Sequence, residues 1–252
     1  MSEKNIAIII QARTGSTRMP FKVVLPFYRN KTILDIIITK LKSKFNYPVI
    51  VATTDLIQDD CIEKIALENN VSCFRGDEKN VLKRFVDCAE HFNVSTIVRV
   101  CADNPFLDSE FLSEIIIEHV KSGADYTSYC TKKRTPVIKT HYGVFCEVVE
   151  KKSLKKVLID TNDVFYLEHV TNYIYGNADS FRINLLLIPE YLEKYSIRLT
   201  LDSKEDWDIL KQLYSTCIES YNNFDTKSLV NLLKEDVNKL NIMKQQIEKY
   251  SK

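Results

Sequence analysis

Short apolar runs alternate with amphipathic helical patterns through the first half of the chain, and this alternation constrains the fold more than any other feature. The first run, Ile6–Ile10, is five apolar residues long, and apolar residues then recur at helical spacing in Thr32–Lys44. A continuous apolar run of this kind fits a strand covered on both faces of a sheet. The alternation therefore predicts an α/β fold with a mainly parallel sheet built from βαβ units. The further predicted strands are Pro48–Thr54, Val71–Phe74 and Thr96–Asp103, and the further helices are Asp59–Asn70, Val81–Phe92 and Asp108–Lys121.

The second half of the chain has a less regular pattern. We predict a main domain over residues 1–220, with two halves that meet near residue 125, and a helical extension over 221–252. The predicted strands here are Asp125–Tyr129, His141–Val149 and Ser180–Ile188, the predicted helices are Asp163–Tyr175 and Thr226–Lys252, and Ser196–Leu210 passes from strand to helix.

Composition narrows the class of protein. A chain of 252 residues with 45% hydrophobic content can bury a large core without disulfides or a structural metal. The seven cysteines form no CxxC pair, which argues against structural zinc and favours a reducing, cytoplasmic compartment. No apolar run approaches the length of a membrane span, so we expect no signal peptide and no membrane partner.

Positive charge is concentrated near the start of the chain. Between Asn5 and Leu34 there is no acidic residue, whereas five residues there are basic: Arg13, Arg18, Lys22, Arg29 and Lys31. The net charge of the whole chain is only +1, and it contains no RNA-binding motif. The local charge therefore predicts a small anionic ligand rather than a nucleic acid.

The basic loop follows the first predicted strand directly. Ligands of open α/β sheets bind at the carboxyl ends of the strands, where this loop lies. Gly15 permits close approach of the backbone, Ser16 offers a hydroxyl, and the arginines and Lys22 offer cations to phosphate oxygens. The loop is neither a Walker A loop nor a GxGxxG turn. A solvated basic loop is the alternative.

The segment QARTGSTRMPFK (Gln11–Lys22) resembles the signature of cytidylyltransferases that activate sugar acids, roughly A-R-x-x-S-x-R-[LM]-P-G-K. These enzymes include the 3-deoxy-manno-octulosonate and acylneuraminate synthetases, and the best match is the branch of spore coat polysaccharide biosynthesis protein F. The resemblance covers about residues 5–210. Further matching segments follow in the expected order: VATT (Val51–Thr54), FRGDEKNVLKRF (Phe74–Phe85), RVCADNPFLD (Arg99–Asp108), EHVTNYIY (Glu168–Tyr175) and RLTLDSKEDW (Arg198–Trp207).

The resemblance implies a three-layer fold of the nucleotide-diphospho-sugar transferase type, with a Rossmann-like nucleotide-binding half at about 1–125 and an acceptor or dimer half at 126–220. It implies transfer of CMP from CTP to a sugar acid with release of pyrophosphate, and Arg13 and Lys22 as the catalytic contacts to the triphosphate. The implied nucleotide-binding residues are Ala12, Arg13, Gly15, Ser16, Arg18, Lys22, Thr53, Thr54 and Arg84, and the implied acceptor-binding residues are Tyr142, Glu147, Glu168 and His169.

Two aspartates stand where predicted strands end, Asp103 and Asp202. By resemblance they hold Mg²⁺ or Mn²⁺, and Mg²⁺ commonly takes one or two carboxylates with phosphate oxygens and water. Each aspartate is alternatively the N-cap of the helix that follows it. Arg84 is alternatively a surface ion-pair residue, and His169 a structural histidine of a helix.

One position departs from the family pattern: Phe21 stands where the family has glycine, which changes the backbone freedom beside Lys22. A GT-A-like glycosyltransferase is one alternative function, but the D-x-D of this chain, Asp206–Asp208, falls inside a predicted helix. A non-catalytic nucleotide-binding relative is the other, and Phe21 favours it. Relatives are commonly dimers, so a homodimer is an expectation, with the apolar face of Thr226–Lys252 as one candidate interface.

Overall fold

A seven-stranded sheet with helices on both faces forms the centre of the computed structural model, which describes residues 5–221 and 224–250. A separate hairpin of two short strands follows the first strand of the sheet. The strands are β1 (Ile6–Gln11), β2 (Pro26–Tyr28), β3 (Lys31–Thr32), β4 (Val49–Thr54), β5 (Ser72–Gly76), β6 (Thr96–Cys101), β7 (Tyr126–Cys130), β8 (Glu147–Glu150) and β9 (Ile183–Leu187). The helices are α1 (Ile33–Lys44), α2 (Asp60–Glu68), α3 (Val81–His91), α4 (Ser109–Ser122), α5 (Lys151–Asp160), α6 (Val164–Glu168), α7 (Asn172–Gly176), α8 (Glu190–Glu193), α9 (Lys204–Ser220), α10 (Thr226–Lys234) and α11 (Val237–Lys249).

The order of strands in the sheet is β5-β4-β1-β6-β8-β7-β9. Strand β8 runs antiparallel to both of its neighbours, and the other described pairs in the sheet are parallel. The predicted α/β class with a mainly parallel sheet is therefore confirmed. Because β1, β4 and β6 are parallel neighbours, the loops that follow them meet at one edge of the sheet.

The two faces of β1 explain why its sequence is apolar throughout. Ile8 and Ile10 point into the core on one side of the sheet, where α1 packs, and Ala7 and Ile9 point into the core on the other side, with α3. All four side chains are fully buried. A strand covered on both faces cannot alternate apolar and polar residues, which is what the sequence run indicated.

Several predicted elements differ in the structure. The predicted strand His141–Val149 forms its ladder only from Glu147, and the residues from Ser196 to Asp202 form no strand. Their backbone groups form hydrogen bonds with loops instead; for example, the Leu199 amide donates to the His141 carbonyl at 2.8 Å. The predicted helix Asp163–Tyr175 is divided into α6 and α7 at Val170, whose φ is 39°. Helix α5 and the β2–β3 hairpin were not predicted.

The predicted C-terminal helix is two helices, α10 and α11, and its last residues, 251–252, lie outside the described part of the chain. The side chains of Leu229, Val230, Leu233 and Met243 are buried in the main core. The tail therefore covers the main body of its own chain, and the homodimer stays a prediction. Among the described residues no helix is both long and apolar enough to cross a bilayer.

Candidate active site

A buried carboxylate holds the loop that follows β1. Asp59, just before α2, accepts hydrogen bonds from the Thr14 amide at 2.8 Å and from the hydroxyls of Thr14 and Thr54. Burial alone would raise the pKa of Asp59, but these hydrogen bonds hold it below its ordinary value. The loop is thereby tied to the end of β4, and the Thr54 hydroxyl is used in that tie. The neighbouring Thr53 hydroxyl is buried and has no partner among the described residues.

Phe21 makes a left-handed turn in this loop, with φ at 60°. Its amide donates to the Thr14 carbonyl at 2.9 Å, and its carbonyl accepts from the amides of Val24 and Leu25. A β-carbon is strained at this φ, whereas glycine is not. The backbone conformation suited to glycine is thus kept at this position, and Lys22 follows it directly.

We expect the Phe21→Gly variant to have a free energy of unfolding about 1 kcal/mol higher than that of Phe21→Ala, because only glycine adopts this φ without strain. Urea denaturation of both variants measures the difference. The alanine variant is the matched control, since it removes the same half-exposed ring but keeps the β-carbon. Equal stability of the two variants would contradict backbone strain at this position.

The ammonium of Lys22 joins two carboxylates from distant parts of the chain. Its Nζ donates to Asp103 Oδ2 at 3.0 Å, to Asp202 Oδ1 at 3.3 Å and to the Leu201 carbonyl. Burial alone would lower the pKa of Lys22, but the two carboxylates hold it above its ordinary value. A charged ammonium therefore lies between the aspartates, and its contacts with both bring them together beside the loop.

Neither aspartate is a helix cap. The N-cap of α4 is Asp108, and the N-cap of α9 is Ser203, whose partner in the capping box is Asp206. The alternative interpretation of Asp103 and Asp202 as N-caps is therefore wrong. Their carboxylates face the charges of the loop instead.

A cavity of about 390 Å³ opens between the loop and the sheet edge, a size typical of small-molecule sites. Arg13 pairs with Glu168 at 3.3 Å and Arg18 with Asp202 at 3.2 Å along its wall. The structure thus brings the loop, both aspartates and the end of α6 together. Gly15 is exposed and precedes Ser16, which lines the cavity. The predicted residues that line the cavity are Ala12, Arg13, Ser16, Arg18, Lys22, Asp103, Glu168, His169 and Asp202.

Arg84 in α3 is a fully buried cation. Its Nη1 donates to the Asp77 carbonyl at 2.6 Å, and its Nε and Nη2 have no partner in the part of the chain that the structure describes. Burial first, and then the charges of Arg13 and Arg99, lower the pKa of Arg84 to about 10. The group stays charged at neutral pH and adds to the positive potential of the site. It does not line the cavity, so its predicted contact with a nucleotide requires a rearrangement.

Glu147 lies in the interior, with its side chain 3% exposed. It pairs with the Arg99 guanidinium and accepts hydrogen bonds from the Tyr126 hydroxyl and, at 2.9 Å, from Thr171 Oγ1. Arg99 also donates to Gln11 Oε1 at 2.9 Å. Glu147 therefore links the end of β1 to the residues just before α7.

The other predicted acceptor residues lie in different places. Tyr142 lines a separate cleft with Lys194 and does not line the cavity that contains the aspartates. Glu168 reaches that cavity through its ion pair with Arg13. His169 is exposed at the C-cap of α6, with its ring 4.7 Å from that of Phe165, and it also lines the cavity.

Comparison with known proteins shows the family to which the chain belongs. The family model described as cytidylyltransferase matches residues 7–246. The chain belongs to the cytidylyltransferase family. It is 36% identical over 216 residues to spore coat polysaccharide biosynthesis protein SpsF of Bacillus subtilis (strain 168), covering 83% of this chain and 86% of the relative.

Solved structures agree with this assignment. A cytidylyltransferase from Leptospira borgpetersenii serovar Hardjo-bovis has a TM-score of 0.82 at 29% identity, with 94% of this chain and 97% of that chain covered. CMP:2-keto-3-deoxy-manno-octonic acid synthetase, solved with CTP, has a TM-score of 0.62 at 12% identity, with 84% and 99% covered. The second likeness shows the fold, which is the nucleotide-diphospho-sugar transferase type that the resemblance implied.

The carboxylates of Asp103 and Asp202 in this cytidylyltransferase are suitable ligands for a divalent cation. The side chain of Asp103 is 31% exposed and that of Asp202 is 11% exposed, and the ammonium between them already holds a positive charge there. Within residues 5–221 and 224–250, no three His, Cys, Asp or Glu side chains form a metal-binding cluster. Two carboxylates alone suit Mg²⁺ or Mn²⁺ that takes its other ligands from phosphate and water.

Sequence reasoning missed a buried arginine of the cytidylyltransferase site. Arg198 donates to both carboxylate oxygens of Asp206, at 2.7 and 2.8 Å, and to Asp202 Oδ2 at 3.2 Å. It therefore orients Asp202 from the side opposite Arg18. The available signal was an arginine in an otherwise apolar extended run, four residues before an aspartate.

Proposed function

We propose that this cytidylyltransferase transfers CMP from CTP to an acidic, sugar-type acceptor and releases pyrophosphate, as a step in the synthesis of surface polysaccharide or another glycan. The observation that carries the proposal is the contact of Lys22 with both Asp103 and Asp202 at the mouth of a cation-lined cavity. The similarity to a spore coat polysaccharide protein supports the glycan context, and the likeness to a CTP-bound sugar-acid synthetase supports the nucleotide.

The residues of the loop bind and orient the triphosphate. The acceptor oxygen attacks the α-phosphorus, the bond to the bridging oxygen breaks, and pyrophosphate leaves. Such chemistry depends on in-line positioning and on neutralisation of developing charge rather than on a covalent nucleophile. Arg13, Arg18 and Lys22 supply fixed cations for the phosphate oxygens, and Ser16 a hydroxyl.

Asp103 and Asp202 are the proposed ligands of Mg²⁺ or Mn²⁺. When bound, the cation would neutralise phosphate charge and fix the α-phosphate relative to the acceptor. Lys22 contacts both carboxylates, so its ammonium is placed to contact the phosphate oxygens that would bind the same cation.

A smaller cavity beside the aspartates suits the acceptor. It shares Arg99, Asp103 and Asp202 with the nucleotide cavity, and the predicted acceptor residue Glu147 lines the smaller cavity alone. Two buried oxygens at its wall, Asn104 Oδ1 and Thr200 Oγ1, have no hydrogen-bond partner among the described residues. The polar lining that Asn104 and Thr200 give this cavity supports a polyhydroxylated acceptor. The seven cysteines all lie in the described part of the chain and form no disulfide, in keeping with a proposed cytoplasmic reaction, and a homodimer remains part of the proposal.

The test is pyrophosphate release from each of the four NTPs with Mg²⁺, against a panel of sugar acids and sugar phosphates. We expect release that is selective for CTP and depends on one acceptor. The Asp103→Asn variant should lose this activity by about 10²-fold or more, because it removes a charged ligand at the reacting phosphate. Release from another NTP, or full activity in Asp103→Asn, would contradict the proposal.

A further inference from the structure

The last turn of the C-terminal helix returns to the active site. Tyr250 follows α11, and its ring centroid lies 4.9 Å from the guanidinium carbon of Arg18 and 5.5 Å from that of Arg198. Guanidinium groups at these distances from an aromatic face are attracted to it. One aromatic ring therefore contacts two arginines of the site.

These two arginines hold opposite oxygens of one carboxylate. Arg18 Nη2 lies 3.2 Å from Asp202 Oδ1, and Arg198 Nη2 lies 3.2 Å from Asp202 Oδ2. Arg198 is fully buried and is fixed by Asp206 as well. The Arg18 side chain is 44% exposed, so the order of its long chain depends on Asp202 and on the ring.

Helix α11 is itself held against the main body. Met243 and Gln246 are buried, and Lys249 lies 3.9 Å from Glu205 of α9. The ring of Tyr250 is therefore presented to Arg18 by a packed helix rather than by a free chain end. Tyr250 lies beyond residues 7–246, the part of the chain that the family model matches.

We infer that Tyr250 is a positioning residue for the nucleotide, because its ring holds Arg18 in the orientation that points its remaining N–H donors into the cavity. This inference rests on the proposed function, since CTP is the ligand. Planar stacking fixes an arginine before the ligand arrives, and a fixed side chain loses less conformational entropy on binding. The effect should appear in CTP affinity and leave the chemical step unchanged.

The experiment measures the CTP dissociation constant by calorimetry, together with kcat at saturating CTP. We expect Tyr250→Ala to weaken CTP binding about three- to tenfold and to leave kcat within about twofold. Tyr250→Phe keeps the ring and should bind as the wild type does. Tyr250→Leu keeps apolar bulk without the ring face and should bind as weakly as the alanine variant.

Two controls separate positioning from general support of the fold. Lys244→Ala changes an exposed lysine of the same helix and should leave CTP binding unchanged. In an Arg18→Met background, Tyr250→Ala should have no further effect, because the ring acts through Arg18. Three results would overturn this inference and leave the proposed function intact. They are an equal loss of CTP affinity from Tyr250→Ala in the Arg18→Met background, wild-type CTP affinity in Tyr250→Leu, and wild-type CTP affinity in Tyr250→Ala. Failure of the wild-type protein to bind CTP would overturn the proposed function, and this inference with it.

Discussion

Replacing Lys22 with methionine should lower kcat by about 10²–10³-fold and, in the absence of nucleotide, raise the affinity of the protein for Mn²⁺. Both effects follow from the position of one ammonium. Nζ lies 3.0 Å from Asp103 and 3.3 Å from Asp202, where a divalent cation held by the same two carboxylates would experience its charge. Methionine keeps an unbranched chain of similar length but carries no charge.

The gain in metal affinity arises because Lys22 neutralises the aspartates when no nucleotide is bound. Without it, Asp202 keeps its ion pairs with Arg18 and Arg198, but Asp103 loses the ammonium that balances its charge, and a divalent cation between the two carboxylates restores that balance. We expect the loss of rate because, in the proposed reaction, the same ammonium stabilises negative charge on the transferring phosphate. We therefore expect Mn²⁺ without nucleotide to raise the melting temperature of Lys22→Met more than that of the wild type.

Three measurements test this pair of effects: Mn²⁺ binding by electron paramagnetic resonance, the shift in melting temperature with Mn²⁺, and kcat with CTP. Lys31→Met is the matched control, since it removes a lysine that does not line the cavity containing Lys22 and the two aspartates, and all three readouts should stay at the wild-type level. Unchanged Mn²⁺ affinity in Lys22→Met would contradict metal ligation by the Asp103–Asp202 pair. Unchanged kcat would contradict the role of Lys22 at the phosphate.

The first half of the fold was predictable because its signals are local. Ile6–Gln11 is apolar on both faces, and Thr32 caps α1 with Asp35 in a capping box, so strand and helix are each encoded within a few residues. The extended residues near Leu199 were misassigned as a strand for the opposite reason. Their apolar run resembles a strand, but their hydrogen bonds go to loops such as the one at His141, and sequence pattern does not reveal a bonding partner.

The same distinction applies to the site. The loop residues Arg13, Ser16 and Lys22 form one contiguous motif, and the structure places them together at one cavity. Tyr142 was assigned to the acceptor from a stretch with no motif of its own and lines a separate cleft, whereas Glu147, from the same stretch, lines the smaller cavity beside the aspartates. The direction of a side chain there depends on packing between β8 and its neighbours, which a single sequence does not specify.

Glu147→Ala should lower the free energy of unfolding by about 3–5 kcal/mol, the second large effect that we expect. The Arg99 side chain is 7% exposed and its charge is paired with Glu147, so truncation leaves a buried guanidinium without a counter-charge. The hydroxyls of Tyr126 and Thr171 also lose their acceptor. Glu147→Gln keeps an oxygen for those hydroxyls and loses only the charge, so we expect a smaller loss of about 1–3 kcal/mol.

Urea denaturation of both variants measures these losses. Glu190→Ala is the control: the ion pair of Glu190 with Lys132 is exposed, so the unfolding midpoint of this variant should stay at the wild-type value.

A double variant, Arg99→Met with Glu147→Met, separates an unpaired charge from lost packing. Buried ion pairs are often replaced by apolar residues at little cost, so the double variant should be more stable than Glu147→Ala. If it is less stable than Glu147→Ala, the carboxylate acts mainly through its hydrogen bonds to Tyr126 and Thr171. If Glu147→Ala itself unfolds at the wild-type midpoint, the buried charge of Arg99 has another partner, and the link from Gln11 to the residues before α7 does not depend on Glu147.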